Sequence, residues 1–200
     1  MTTSLELPLF PLNTVLFPEG PLSLRIFEPR YVDMVRRCMR EQLPFGVVLI
    51  RDGGEVGAVA SIADVGTTAR IVDFQALPDG LLGLECVGER RFRVLRRWQQ
   101  PDGLNMAEVE WLPEIHAEPL QDDQDYLGKL LGAVWPRIAE PYQHVPQRFD
   151  DASWVGYRFA EIGPLDRADR QAFLEMEDTA ARIRRIAEII PSPNSPSADD

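Results

Sequence analysis

Five prolines interrupt the apolar opening of the chain, and this feature constrains the fold more than any other. The stretch "LPLFPLNTVLFPEGPLSLRIFEPRY" spans residues 7–31 and carries no charge before Glu19. A secretory signal needs a cationic start and an unbroken apolar run, and a membrane-spanning helix needs about 20 consecutive apolar residues. Large apolar side chains are costly to leave in water, which argues against a disordered proline-rich segment. We therefore expect a folded, soluble protein whose first strands lie here.

Composition narrows the classes of function. The net charge of −11 argues against nucleic-acid binding, because that binding depends on basic side chains displacing counterions from phosphates. The two cysteines, Cys38 and Cys86, lie in apolar settings without the spacing of metal ligands. They predict buried thiols and a reduced, cytoplasmic protein. Residues 191–200, "PSPNSPSADD", lack large apolar groups, so we expect a disordered tail.

Strand and turn patterns dominate residues 1–118. "PLSLRIF" has the two-residue period of a half-buried strand, and "EPRYVDMVRRCMRE" then takes a helical period with Pro29 at its first position. In that helix Tyr31, Cys38 and Met39 are predicted to share the buried side. Turn signals such as Asp79-Gly80 separate the later strands. Because no further helix lies between them, we predict a meandering sheet that forms a small barrel or pseudo-barrel.

The pattern of residues 119–190 predicts helices. Acidic residues open "LQDDQDYLGKLLGAVW", where they suit the positive end of a helix dipole, and Asp166 is a plausible cap for the helix that follows it. Ile183, Ile186 and Ile190 recur at helical spacing in the last helix. The predicted fold class is therefore α+β, a β pseudo-barrel with one inserted helix followed by a C-terminal α-helical bundle.

No familiar pattern for catalysis or metal binding is present in the sequence. There is no phosphate-binding G-x-x-x-x-G-K-[ST] and no nucleophile elbow G-x-S-x-G. The only lysine, Lys129, is explained more simply by a helical ion pair with Asp125. We expect a protein that is not an enzyme and holds no cofactor or metal.

The arginines of "GERRFRVLRRW" raise the possibility of a basic stripe. Arg91 and Arg93 are predicted to share one solvated face of a strand. Glu85, Glu89 and Glu110 can pair with such arginines across strands, so we favour a solvated ionic face over a nucleic-acid groove.

Four stretches of sequence, taken in order, carry a family resemblance. They are "LPLFPLNTVLFPEGPLSLRIFEPRYVDMV", "FGVVLI", "VGTTARIVDFQALPDGLLGLECVGERRFRV" and "DASWVGYRFAEIGPLDRADRQAFLEMEDTAARIRRI". Over residues 5 to about 190 the chain resembles the amino-terminal substrate-recognition domain of the Lon family of ATP-dependent proteases. The resemblance implies a PUA-like pseudo-barrel followed by a helical bundle. The chain ends where the ATPase and Ser-Lys protease of Lon would begin, so we expect a stand-alone domain without either activity.

The resemblance implies non-catalytic recognition of polypeptide, either an unfolded client or an assembly partner such as a separate Lon protease. Apolar side chains of the client are expected to enter a groove where barrel and helices meet. The candidate peptide-binding residues are Phe17, Arg30, Tyr31 and Trp154, for which core or hinge packing is the alternative role. Two other functions stay open. RNA binding is suggested by the PUA-like architecture, and an unfamiliar hydrolase would need close, buried carboxylates in a cleft.

Overall fold

A computed structural model describes residues 5–54, 59–114 and 116–192 of the chain. From residue 193 onward, the predicted disordered tail lies outside the described residues. In the described residues the proline-broken opening forms a strand, a loop and a second strand, and it leads into a helix that begins at Pro29. This confirms the prediction that the opening is part of a folded sheet.

Strands make up most of the first half. Within the described ranges they are β1 (Leu5–Leu12), β2 (Pro21–Ile26), β3 (Phe45–Gly53), β4 (Val59–Ile62), β5 (Val65–Ala76), β6 (Leu82–Gln99) and β7 (Asn105–Trp111). The order in the sheet is β1-β7-β6-β5-β3-β4, and β2 pairs with β6. A parallel pairing of β1 with β3, with Leu9 opposite Gly46, joins the two sides of the sheet. This closure makes the predicted pseudo-barrel.

Helices follow the barrel, apart from one helix inserted between β2 and β3. They are α1 (Pro29–Glu41), α2 (Asp125–Val134), α3 (Ala152–Ile162), α4 (Arg167–Glu175) and α5 (Thr179–Ile189). Asp151, Asp166 and Asp178 cap α3, α4 and α5 by accepting hydrogen bonds from main-chain N–H groups of the first turn. The α+β architecture is thus as predicted.

The inserted helix α1 covers one end of the barrel. Its buried residues are Tyr31, Met34, Val35 and Cys38, and the Tyr31 ring stacks on Phe10 of β1 with 4.1 Å between ring centroids. Pro29 occupies the first turn, as predicted, where no N–H is needed. Met39, which was expected to share the buried side, is exposed because it lies at the edge of that face.

One hydrophobic core crosses the predicted boundary at residue 118. It packs barrel residues such as Phe17, Val65 and Val87 against Trp154 of α3 and Ile183 of α5. Burial of such side chains stabilises the fold by roughly 1.5–3 kcal/mol each. Residues 1–118 and 119–190 therefore differ in secondary structure but share a core.

The loop between β1 and β2 is held tightly against β6. The N–H of Glu19 donates to the carbonyl of Gly88 over 2.8 Å, and the N–H of Gly88 donates to the carbonyl of Gly20 over 2.9 Å. A Cβ atom at Gly88 would lie 2.1 Å from the carbonyl oxygen of Phe17, so only glycine allows this approach. The loop is thereby fixed beside the helices.

Candidate functional site

A cleft of about 570 Å³ lies where the barrel meets the helices. One wall comes from the β1–β2 loop and the middle of β6, a second from the segment after β7, and a third from α3 and the loop before it. Its apolar lining comprises Pro18, Val87, Leu112, Pro113, Ala117, Val145, Pro146, Trp154 and Tyr157. The cleft lies at the junction where the sequence analysis expects a groove. Binding of a polypeptide there stays a prediction.

Paired charges surround the mouth of the cleft. Arg148 and Glu19 form a two-pronged ion pair with both contacts at 2.8 Å. Two further pairs complete the set, Arg70 with Glu89 at 2.6 Å and Arg90 with Glu114 at 3.6 Å. Because each arginine faces a glutamate, these rim pairs are electrically balanced. Exposed pairs of this kind contribute about 0–1 kcal/mol each to stability, so a ligand can displace them cheaply.

Two of the four predicted site residues lie beside the cleft. Trp154 lines its floor, and Phe17 packs directly behind it with its ring centroid 5.5 Å from that of Tyr157. Both are almost fully buried, at 3% and 0% exposed. Their observed contacts are packing contacts, and a direct contact with peptide stays a prediction.

The other two predicted residues lie at the start of α1, in a different core cluster. Tyr31 is 3% exposed and lines a smaller pocket of about 430 Å³ beside β2. Arg30 donates to the carbonyl of Gly103 over 2.8 Å and pairs with Glu28 at 2.7 Å. The four residues are therefore not brought together into one site.

The predicted solvated position of Arg91 is wrong. Arg91 is 4% exposed, and its Nη1 donates to the carbonyls of Leu174 and Met176 over 2.8 and 3.0 Å. These carbonyls end α4, which covers this part of the strand, so a cation is favoured there. Arg93 does stay exposed, as predicted.

The basic stripe expected on β6 is interrupted by carboxylates. Arg93 pairs with Glu110 at 3.4 Å and with Glu177 at 3.9 Å, while Arg96 pairs with Glu108 at 3.7 Å. Acidic residues therefore alternate with the arginines along this face. The RNA-binding alternative needs a continuous basic face, and this strand does not provide one.

Arg158 is a connecting residue that the sequence analysis missed. It is fully buried on α3, and its guanidinium donates to the carbonyls of Glu19 and of Pro18, the latter over 2.9 Å. Its Nε lies 3.1 Å from the Glu161 carboxylate, which also accepts from the Tyr142 hydroxyl over 2.7 Å. The i,i+3 spacing of Arg158 and Glu161 in an apolar helix is the sequence signal that could have indicated this group.

Burial is the main cause of the shifted pKa values of Glu161 and Tyr142. Burial raises the pKa of Glu161, while the charge of Arg158 and the hydrogen bond from Tyr142 act against that shift. The pKa of Tyr142 is also raised, first by burial and then by the Glu161 charge. Glu161 therefore holds a proton more readily than an exposed glutamate.

The hydrolase alternative requires close, buried carboxylates in a cleft. Glu161 is largely buried, with its side chain 16% exposed, but it is committed to Arg158 and Tyr142. Cys38 and Cys86 are free and buried, as predicted, and burial raises their thiol pKa values to about 11 and about 12, which makes them poor nucleophiles.

Among residues 5–54, 59–114 and 116–192, no group of three or more His, Cys, Asp or Glu could hold a metal ion. In the same ranges, no helix is both long and apolar enough to cross a membrane.

Comparison with known proteins gives a match over nearly the whole chain. The family model described as the ATP-dependent protease La (LON) substrate-binding domain matches residues 6–192. Lon protease of Cytophaga hutchinsonii is 24% identical over 92% of this chain and 24% of its own length. Lon protease 2 of Herpetosiphon aurantiacus is 26% identical over 94% of this chain and 24% of its own length. The chain thus spans about a quarter of the length of these curated relatives.

Solved structures agree with the family match. The crystal structure of a Lon N-terminal domain protein from Xanthomonas campestris aligns with a TM-score of 0.78 and 36% identity, covering 92% of this chain and 98% of that one. The N-terminal domain of Lon protease from the Mycobacterium avium complex has the same fold, with a TM-score of 0.63, 18% identity, and coverage of 92% of this chain and 96% of that one.

Proposed function

Because the chain belongs to the family of Lon substrate-binding domains, we propose that it recognises polypeptide and does not cut it. The observation that carries this proposal is the family match over residues 6–192, which includes both the barrel and the helices that form the cleft. The matched family is a substrate-binding domain and not a catalytic one. We further propose that the client is an unfolded segment, that the protein acts in the cytoplasm, and that a separate Lon protease is its assembly partner.

The proposed binding site is the cleft at the junction of barrel and helices. Its apolar lining would receive a large side chain of the client, which is the usual way that a concave site gains affinity. The paired arginines and glutamates at the mouth can exchange partners with charged groups on either side of that anchor. In this proposal Trp154 forms part of the floor of the cleft, and Phe17 supports that floor from behind.

Filling the cleft tests the proposal. Ala117 is exposed and lines the cleft, so Ala117→Trp places a large ring in it without disturbing the core. We expect Ala117→Trp to weaken binding of unfolded casein at least tenfold, as measured by titration calorimetry. Ala76→Trp is the matched control, because Ala76 is equally an exposed alanine but lies at the end of β5, outside the cleft lining.

Two results would contradict the proposal. If wild-type protein gives no heat with unfolded casein well above micromolar concentration, it does not recognise unfolded polypeptide. If Ala117→Trp and Ala76→Trp bind casein equally well, the site is elsewhere on the molecule. Affinity purification from the native cell tests the proposed partnership, and recovery of Lon protease is the expected result.

A further inference from the structure

Two side chains that line the cleft have hydrogen-bonding atoms without partners. Trp154 and Tyr157 are both on α3, and both are almost fully buried. Within the described part of the chain, neither the indole Nε1 of Trp154 nor the hydroxyl of Tyr157 has a hydrogen-bond partner. The indole N–H can only donate, and a hydroxyl can donate as well as accept. Buried donors without acceptors cost free energy, so this floor favours a ligand that brings an acceptor.

Two buried guanidinium groups lie beside the same tyrosine. The guanidinium carbon of Arg182 is 4.1 Å from the centroid of the Tyr157 ring. Its Nη2 donates to the carbonyl of Met176 over 2.7 Å, while its Nε and Nη1 have no hydrogen-bond partner among the described residues. Among the residues that the structure describes, Arg91, which lines the cleft, donates only to main-chain carbonyls. The donors around Tyr157 thus include two cations.

Nearby negative charge does not balance these cations. The end of α4, whose carbonyls accept from both arginines, carries about half a negative charge against two full positive charges. Burial lowers the pKa of Arg182, and Asp178 and Glu118 act against that shift. Both carboxylates are exposed, and neither forms an ion pair with Arg182 among the described residues. The site therefore has an excess of positive charge at low exposure to water.

The remaining carboxylates around the cleft are already engaged. Asp151 lines the cleft, but its Oδ1 accepts from the N–H groups of Ser153 and Trp154 over 2.9 and 3.4 Å as the cap of α3. Glu161 pairs with Arg158, and the three glutamates at the mouth pair with arginines of the rim. None of these carboxylates is therefore paired with Arg91 or Arg182.

We propose that the cleft selects polypeptide segments by a carboxylate, which docks against Tyr157 and Arg91 with Arg182 behind them. This inference rests on the proposed function, because it names the chemistry of the client that the cleft prefers. Tyr157 lines the cleft while its hydroxyl has almost no exposed surface, so docking in this proposal includes a side-chain movement that exposes the hydroxyl. The carboxylate can belong to an aspartate or glutamate, or to the free end of a chain.

Three matched peptides separate these sources. The first has an apolar sequence with one central glutamate and blocked ends, the second has glutamine in its place, and the third combines glutamine with a free carboxyl terminus. Because hydrogen bonds to charged groups are strong, we expect the first or the third peptide to bind about 10- to 100-fold more tightly than the second, as measured by calorimetry. Equal affinities for all three would overturn the carboxylate inference and leave polypeptide recognition intact. Binding of none of the peptides or of unfolded casein would instead contradict the proposed function.

Single-atom variants locate the carboxylate. Tyr157→Phe removes the hydroxyl, and we expect it to lose most of the preference for the carboxylate while the glutamine peptide binds as before. Tyr126→Phe is the control, because the Tyr126 hydroxyl donates to the carbonyl of Ile190 over 2.7 Å and does not line the cleft. An unchanged ratio of affinities in folded Tyr157→Phe would place the carboxylate elsewhere and overturn the assignment.

Discussion

Three buried arginines hold the region around the cleft together. Arg158 of α3 and Arg91 of β6 each reach across between barrel and helices to donate to main-chain carbonyls. Arg182 binds within the bundle, at the end of α4. In the composition these three residues are only positive charges. In the structure their side chains link separate chain segments by donating to main-chain carbonyls. Loss of Arg91 or Arg158 would remove donors from two or more carbonyls, whereas loss of Arg182 would remove one donor from the Met176 carbonyl.

Protonation of Glu161 gives a prediction at the scale of a residue. Since its folded pKa is raised, the native state binds more protons than the unfolded chain above about pH 4.3, and the contribution of Glu161 to stability falls as pH rises through the raised pKa. We expect the free energy of unfolding of wild type, relative to Glu161→Gln, to decrease between pH 4.5 and pH 7.5. Urea unfolding of both proteins at a series of pH values measures this difference in the free energy of unfolding.

A second variant checks the cause of this pH dependence. The hydrogen bond from Tyr142 lowers the pKa of Glu161, so Tyr142→Phe should move the decrease to higher pH. A relative stability of wild type that instead grows with pH would mean that the charge of Arg158 outweighs burial.

Close approach of chain segments gives a prediction at the scale of elements. Gly88→Ala would place a Cβ atom 2.1 Å from the Phe17 carbonyl, where backbone meets backbone and neither side can yield cheaply. We expect a loss of about 1–3 kcal/mol in the free energy of unfolding, measured with urea.

Gly132→Ala is the matched control for that variant. A Cβ atom at Gly132 in α2 would meet nothing within 4 Å, so the better helix propensity of alanine should stabilise the protein by up to about 1 kcal/mol. Equal stability of the Gly88 and Gly132 variants would show that the β1–β2 loop can move away from β6.

The sequence predicts secondary structure here better than contacts between segments. The period of "PLSLRIF", the position of Pro29 and the cap at Asp166 depend on neighbouring residues, and all three predictions hold. The burial of Arg91 depends on α4, which lies more than 70 residues further along the chain. Local patterns carry no information on such a distant partner. The exposure of a strand face was therefore predicted correctly for Arg93 but wrongly for Arg91.

The same limit applies to the candidate site. A groove between barrel and helices is predicted from the sequence, and the observed cleft lies there. The residues predicted for this site are three large aromatic residues and Arg30. Aromatic side chains are most often buried, and Tyr31 packs in another cluster. The two buried guanidinium groups beside Tyr157, those of Arg91 and Arg182, come from a strand and a helix that are distant in sequence.

At the scale of the whole molecule, one core joins the barrel and the helices, so the cleft between them is a built-in part of the fold. A site formed by a shared core does not require either half to move before it binds. In the proposed function, one preformed cleft therefore binds polypeptide without a rearrangement of barrel and helices.

Photo-crosslinking tests the central claim most directly. A benzophenone amino acid replaces Ala117 in the cleft or, in a second sample, Ala76 outside it, and each sample is irradiated with unfolded casein. The account predicts efficient crosslinks from position 117 that an excess of unlabelled casein abolishes, and few crosslinks from position 76. Equal crosslinking from both positions, or none from position 117, would contradict it.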